Sequence, residues 1–316
     1  MTTATGCVAP FPTREAGMTV KSNTVNTVLG PVPAAELGVV AVHEALLAVL
    51  PGAQYAHDIE MDRAVIFRAI ADKLRAFKAA GGGAVVDAGG MFAGRDVPLL
   101  EALSRATGVH IVASAGQMEE GMLGGYFLTP QTNPPTPWPA EKFAALYAAE
   151  VTEGMVVPRV ERRGSAGLIA TAITADGMTP TDESQLRGCA RAAKQTGVAL
   201  TFRAGSDPVA ELAVALDEGL AADRIAVVNA GDKAGEVAGK GAYVVFTDVA
   251  AGVAFAQAGG ADNTLVATGG AALAFGYDEG EMPETSYDAL VSAVPAELAP
   301  RLLTANPAAL LAVKEA

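Results

Sequence analysis

Eight times along this chain a short apolar run, mostly rich in β-branched residues, is followed by a polar or glycine-containing loop and an amphipathic segment. The runs are Val39–Val42, Ala84–Val86, His110–Ala113 and Gly167–Ala170, then Ala199–Phe202, Ile225–Val228, Tyr243–Phe246 and Thr264–Ala267. They do not alternate apolar with polar, which is the pattern of parallel strands covered by helices on both faces. Between them, Asp62 to Ala79 places Val65, Ile66, Ile70, Leu74 and Phe77 on one helical stripe. Thr179-Pro180-Thr181-Asp182 reads as an N-cap, a proline at the first helical position and an acid at the third, and Asp207-Pro208 repeats the cap and proline. No glycine-rich dinucleotide fingerprint follows the first run, so eight βα units predict a single-domain (β/α)8 TIM barrel rather than a doubly wound sheet.

No linker or shift in composition divides the chain. Residues 19–316 are expected to form the barrel domain, with Thr19 to Pro31 an extended lead-in closing its floor, behind a flexible segment over residues 1–18. Hydrophobic residues at 51% against 18% charged exclude a disordered chain. Of 316 residues, 35 are acidic and 22 are Lys or Arg, a formal net charge of −13. Such a surface repels phosphate backbones and anionic lipid, so neither nucleic acid nor a membrane surface is expected as a partner. No apolar stretch approaches the ~18 residues of a membrane span. Met1 to Met18 lacks the apolar core of a signal peptide. Cys7 and Cys189 make no disulfide framework, and a cytoplasmic location is expected.

Barrel enzymes work at the C-terminal ends of their strands. Those positions carry His43, Glu44, Asp87, Ser114, Gln117, Arg203, Asn229, Asp248, Thr268, Gly269 and Gly270. His43 reads as a general base or as a residue packed against Glu44 or Asp87. Arg203, at the end of an apolar run, needs an anion. That anion is either Glu44, Asp87 or Asp248 within the protein, or a substrate carboxylate or phosphate. Thr268-Gly269-Gly270-Ala271-Ala272 reads as a phosphate-binding turn at a helix start, or as a plain turn into a helix. Cys189 reads as a small buried helix residue.

Several stretches resemble the phosphotriesterase family of the amidohydrolase superfamily. These are Thr27 to Gly38 running into His43-Glu44, Val86-Asp87 with Gly94-Arg95-Asp96-Val97, Thr107 to Val112, Thr196-Gly197-Val198 and Thr304 to Leu310. The resemblance implies a TIM barrel, usually paired into homodimers. It also implies a binuclear metal centre held by a His-x-His pair, a carboxylated Lys, two further His residues and an Asp. In this chain those positions align with His43 and Ala45, then Ala170, Arg203, Asn229 and Gly269. The other histidines, His57 and His110, lie in the loop after the first run and at the start of the third. One plausible ligand remains where a metal needs three or four, so no metal and no cofactor is expected.

The expected function is metal-independent acid–base chemistry on a small organic metabolite, anionic if its charge is what Arg203 pairs with: elimination, isomerisation, cyclisation or hydrolysis. In that reading His43, Glu44, Asp87, Arg203 and Asn229 carry the chemistry. Ser114, Gln117, Asp248, Thr268, Gly269 and Gly270 contact the substrate. A non-catalytic ligand-binding barrel or pseudoenzyme is the second reading, and a metal-dependent ester or lactone hydrolase with a rebuilt site is the third.

Overall fold

A computed structural model describes residues 23–123, 127–129, 136–157 and 161–315. The eight apolar runs become eight strands: β1 (Val39–Val49), β2 (Gly82–Asp87), β3 (His110–Ala115), β4 (Leu168–Ala172), β5 (Ala199–Arg203), β6 (Ile225–Val228), β7 (Tyr243–Phe246) and β8 (Thr264–Val266). A ninth, β9 (Ala271–Phe275), follows β8 and pairs with β1. They form one curled sheet in the order β8-β7-β6-β5-β4-β3-β2-β1-β9, with every neighbouring pair parallel. This is a (β/α)8 barrel. The expected flexible segment, residues 1–18, lies outside the described residues.

Side chains alternate between two cores, as the two-residue period of a strand requires. Val40, Val42, Val86, Val112, Leu168, Val228, Val245 and Leu265 fill the barrel interior. Between strands and helices lies a larger core that includes Ile70, Leu74 and Phe77 of α1 (Arg63–Ala79) and Leu100 and Leu103 of α2 (Val97–Thr107). Burying each such side chain stabilises the fold by about 1.5–3 kcal/mol. Val65 of the expected stripe is exposed. Helix α3 (Ala140–Thr152) packs on α4 (Pro180–Thr196), whose Thr179 and Asp182 form the expected capping box. Asp207 caps α5 (Pro208–Asp217). A hairpin, Thr24–Thr27 with Gly30–Pro33, plugs the floor. Val25 enters the inner core there, and Val28 N donates to Ile111 O at 2.9 Å.

The seam between β8 and β1 departs from a continuous ladder. The lower part of β1, Val39 to Glu44, pairs with β2 through two register shifts, and its upper part, Ala45 to Val49, pairs with β9. Ala45 N donates to Gly270 O at 3.3 Å. The Glu44 carboxyl accepts from Thr268 N at 2.9 Å and meets the Thr268 hydroxyl. Ala271–Phe275 is therefore a strand, not the helix expected after Gly269-Gly270, so no helix N-terminus stands there to hold a phosphate. Among the described residues no helix is long and apolar enough to cross a membrane.

Candidate active site

His43 sits where β1 is irregular, half-buried, with Nδ1 3.5 Å from the Thr201 hydroxyl of β5. Burial, and then the positive charge of Arg203, hold its pKa down at about 4. Its imidazole is therefore neutral at pH 7. Its partner is a hydroxyl across the barrel, not Glu44 or Asp87.

Glu44 and Asp87 are paired positions on β1 and β2, and both are buried. Burial raises Glu44 to about 8 against the opposing hydrogen bonds from Thr268. It raises Asp87 to about 6, opposed by the N–H groups of Leu46 and Gly89 and by the charge of Arg95. Leu46 N reaches Asp87 Oδ2 at 3.1 Å, and Gly89 N reaches Oδ1 at 3.3 Å. Asp87 thus satisfies an amide on the irregular strand β1, and Glu44 clasps the seam.

Arg203 ends β5 at the mouth. Its Nη2 donates to Glu119 Oε2 at 2.9 Å. The internal anion is Glu119, not the expected Glu44, Asp87 or Asp248. Glu119 lies in the segment after β3, which passes over the end of β4 because Gly116 (φ +99) presents no Cβ to Ala170 O. Two buried side chains fix the segment. Gln185 Nε2 donates to Gln117 O and Met118 O at 3.0 and 2.9 Å, and Asp182 Oδ1 accepts from Glu120 N at 2.9 Å. Tyr277, half-buried in the loop after β9, has its pKa raised by burial and then by the charge of Glu119. Sequence reasoning misses Glu119, Thr201 and Tyr277. Glu119 and Tyr277 lie beyond strand ends, and Thr201 sits inside an apolar run.

The remaining expected residues are placed as follows. Asn229, after β6, is exposed in the left-handed region (φ 60) and accepts from the Thr247 hydroxyl at 2.9 Å. Asp248 is exposed and caps α6 (Val249–Phe255) through Ala250 N and Ala251 N. Ser114 is buried, with Oγ accepting from Gly90 N at 3.1 Å. Gln117 is buried, its Oε1 without a hydrogen-bond partner among the described residues and its Nε2 3.8 Å from Met91 Sδ. Thr268 is committed to Glu44. Gly269 (φ +70) is exposed, whereas Gly270 is buried with its Cα packed against Pro283 O. His57 is exposed and His110 opens β3 at the floor end. Cys189 is buried in α4 as expected.

This donor set does not fit a binuclear metal centre. One imidazole, an ion-paired guanidinium, a carboxamide bonded to Thr247 and three small residues occupy the aligned positions. Among the described residues no three His, Cys, Asp or Glu side chains gather where they could share a metal ion.

Residues 23–258 match the phosphotriesterase family, and the chain belongs to that family. Among solved structures, it is similar to a mutant of a phosphotriesterase-like lactonase from Deinococcus radiodurans. That likeness has a TM-score of 0.77 and 24% identity, covering 91% of this chain and 100% of the other. A mutant organophosphorus hydrolase from the same organism matches with a TM-score of 0.78 and 23% identity, over 91% of this chain and 97% of the other. At that identity the likeness shows the fold. Among curated proteins, the N-acetyltaurine hydrolase of Tetraodon nigroviridis is 32% identical over 142 residues, 45% of this chain and 37% of that protein. The N-acetyltaurine hydrolase of Rattus norvegicus is 33% identical over 126 residues, 31% of this chain and 36% of that protein. The match thus spans little more than a third of the length of these relatives.

Proposed function

We propose that the chain is a metal-independent acid–base enzyme that hydrolyses an amide or ester linkage of a small organic molecule at the barrel mouth. The observation that carries this reading is His43: a half-buried imidazole, neutral at pH 7, held within electrostatic reach of Arg203. Hydrolysis is preferred over elimination, isomerisation and cyclisation because the relatives are named as hydrolases and a lactonase.

In this reading the His43 imidazole takes a proton from water as the water oxygen bonds to the substrate carbonyl. It then passes that proton to the departing amine or alcohol as the carbon–nitrogen or carbon–oxygen bond breaks. Arg203 supplies positive charge where negative charge develops. Glu44 and Asp87 maintain strand geometry.

The second reading, a non-catalytic ligand-binding barrel, is favoured by one observation: both buried carboxyls are engaged by backbone amides, which leaves His43 to act alone. The test is turnover of a panel of N-acyl amides and lactones by chelator-treated protein of measured metal content. Turnover should survive chelation and fall at least about 100-fold in His43→Gln. Activity lost to the chelator and restored by zinc would overturn the proposal. Binding without turnover would support the second reading.

A further inference from the structure

The Arg203–Glu119 pair differs from an ordinary surface ion pair in how it is built. Their side chains are 39% and 22% exposed, so the pair sits in the mouth rather than on the outer surface. Arg203 ends β5 and Glu119 lies in the segment after β3, with β4 between those two strands, so the bridge crosses the strand that ends in small side chains. Ala172 is in register with Arg203. Ala170 and Ala172 are 2% and 0% exposed, so the end of β4 is covered.

Glu119 is also not free to wander. The residue before it gives its carbonyl to Gln185, and the residue after it gives its amide to Asp182. Gln185 and Asp182 are themselves buried. A carboxylate fixed on both sides and aimed at a guanidinium reproduces the geometry of a bound organic anion. Only Nη2 of the guanidinium meets Glu119 among the described residues, and the fork has further donors for a second acceptor. Half-buried Tyr277 lies close enough to feel both charges.

We propose that Glu119 is an internal stand-in for the anionic group of the substrate. Its carboxylate occupies Arg203 in the resting protein and yields that guanidinium to the terminal carboxylate or sulfonate of a small amide or ester. This inference rests on the mouth-acting reading above and narrows its substrate class to organic anions. A neutral substrate cannot compete with Glu119 for Arg203; an anion can, through charge-assisted hydrogen bonds of the same kind. Exchange of one carboxylate for another keeps the guanidinium paired throughout, so no uncompensated cation is left in the mouth.

The test is titration calorimetry with three probes: N-acetylglycine, N-acetyltaurine and the neutral N-acetylglycinamide. The readout is the ratio of neutral to anionic dissociation constants, taken for wild type, Glu119→Gln, Arg203→Ala and Arg203→Lys. Wild type should prefer the anionic probes. Glu119→Gln should raise that preference by up to about fivefold, the equivalent of the ~1 kcal/mol that a part-exposed ion pair is worth. Arg203→Ala should reduce the preference at least tenfold, and Arg203→Lys should recover only part of it. Thermal midpoints near wild type confirm folding. Should Arg203→Ala not fold, the Glu119→Gln and Arg203→Lys ratios decide alone. Equal binding of neutral and anionic probes, or a Glu119→Gln ratio at or below wild type, would overturn the inference. Anion preference with no turnover of any amide or ester would leave it standing and remove the enzyme reading.

Discussion

Replacing Glu44 with glutamine should make this protein more stable, although Glu44 lies beside the general base of the proposed mechanism. The folded protein holds the Glu44 carboxyl at about 8, well above its ordinary 4.5, chiefly because the group is buried. A carboxyl raised on folding contributes fully below pH 4.5 and loses that contribution as pH rises through 8, because the folded state binds the proton that the unfolded state has released. Above pH 6.5 Asp87, raised to about 6, and His43, lowered from 6.5 to about 4, contribute only the tails of their transitions, and these tails oppose one another. Between pH 6.5 and 8 the slope therefore belongs mainly to Glu44. At 1.36 kcal/mol per pH unit, tapering to half that slope as pH reaches 8, it amounts to about 1.5 kcal/mol. A glutamine keeps the contacts, with its carbonyl accepting from Thr268 N and its amide donating to the Thr268 hydroxyl, but it has no proton to lose. Equilibrium urea unfolding at pH 6.5, 7.25 and 8 reads the difference. Wild type should lose about 1.5 kcal/mol across that window, and Glu44→Gln should stay nearly level. Parallel slopes in the two proteins would refute the assignment of the raised pKa to this residue.

Arg95 and Glu150 form a buried bidentate pair of 2.6 and 2.8 Å, with side chains 3% and 0% exposed. Glu150→Ala strands the guanidinium and should cost about 3–5 kcal/mol in urea unfolding, whereas joint replacement by Met and Leu should cost less. Elemental analysis of the purified protein should find less than one equivalent of zinc, manganese and nickel combined. Two equivalents would show that His43 recruits ligands by a rearrangement of the mouth. Homodimer formation, which the family resemblance implies, should appear in sedimentation as a species of twice the 31.9 kDa chain mass. A concentration-independent monomer would contradict it.

The fold was legible because its determinants are local and repeated. Each barrel strand is covered on both faces and therefore keeps a short apolar run, and helix starts such as Thr179 and Asp207 carry their caps in the sequence. Two elements escaped for a definable reason. The polar pair His43-Glu44 interrupts β1, so its upper half, Ala45 to Val49, does not read as the same strand. Strand β9 follows two glycines and resembles a helix start, because its ordering comes from pairing with β1, a contact remote in sequence. The site was legible as a set of positions at strand ends. Its pairings were not, because the partner of Arg203 is set by a loop path that depends on Gly116, Asp182 and Gln185 acting from three separate segments.

The divided pairing of β1 makes the barrel a hoop spliced by overlap rather than welded along one line. Its lower half is committed to β2 and its upper half to β9, and β8 reaches it by side chain and loop rather than by a ladder. A hoop of this kind has a natural order of opening. Releasing the Glu44 clasp frees the last sixth of the chain, from β8 onward, to peel away while the arc from β2 to β7 keeps its amide pairing. Amide protons of Thr264–Val266 should then exchange with solvent sooner than those of Ile225–Val228, although both strands are equally buried from water.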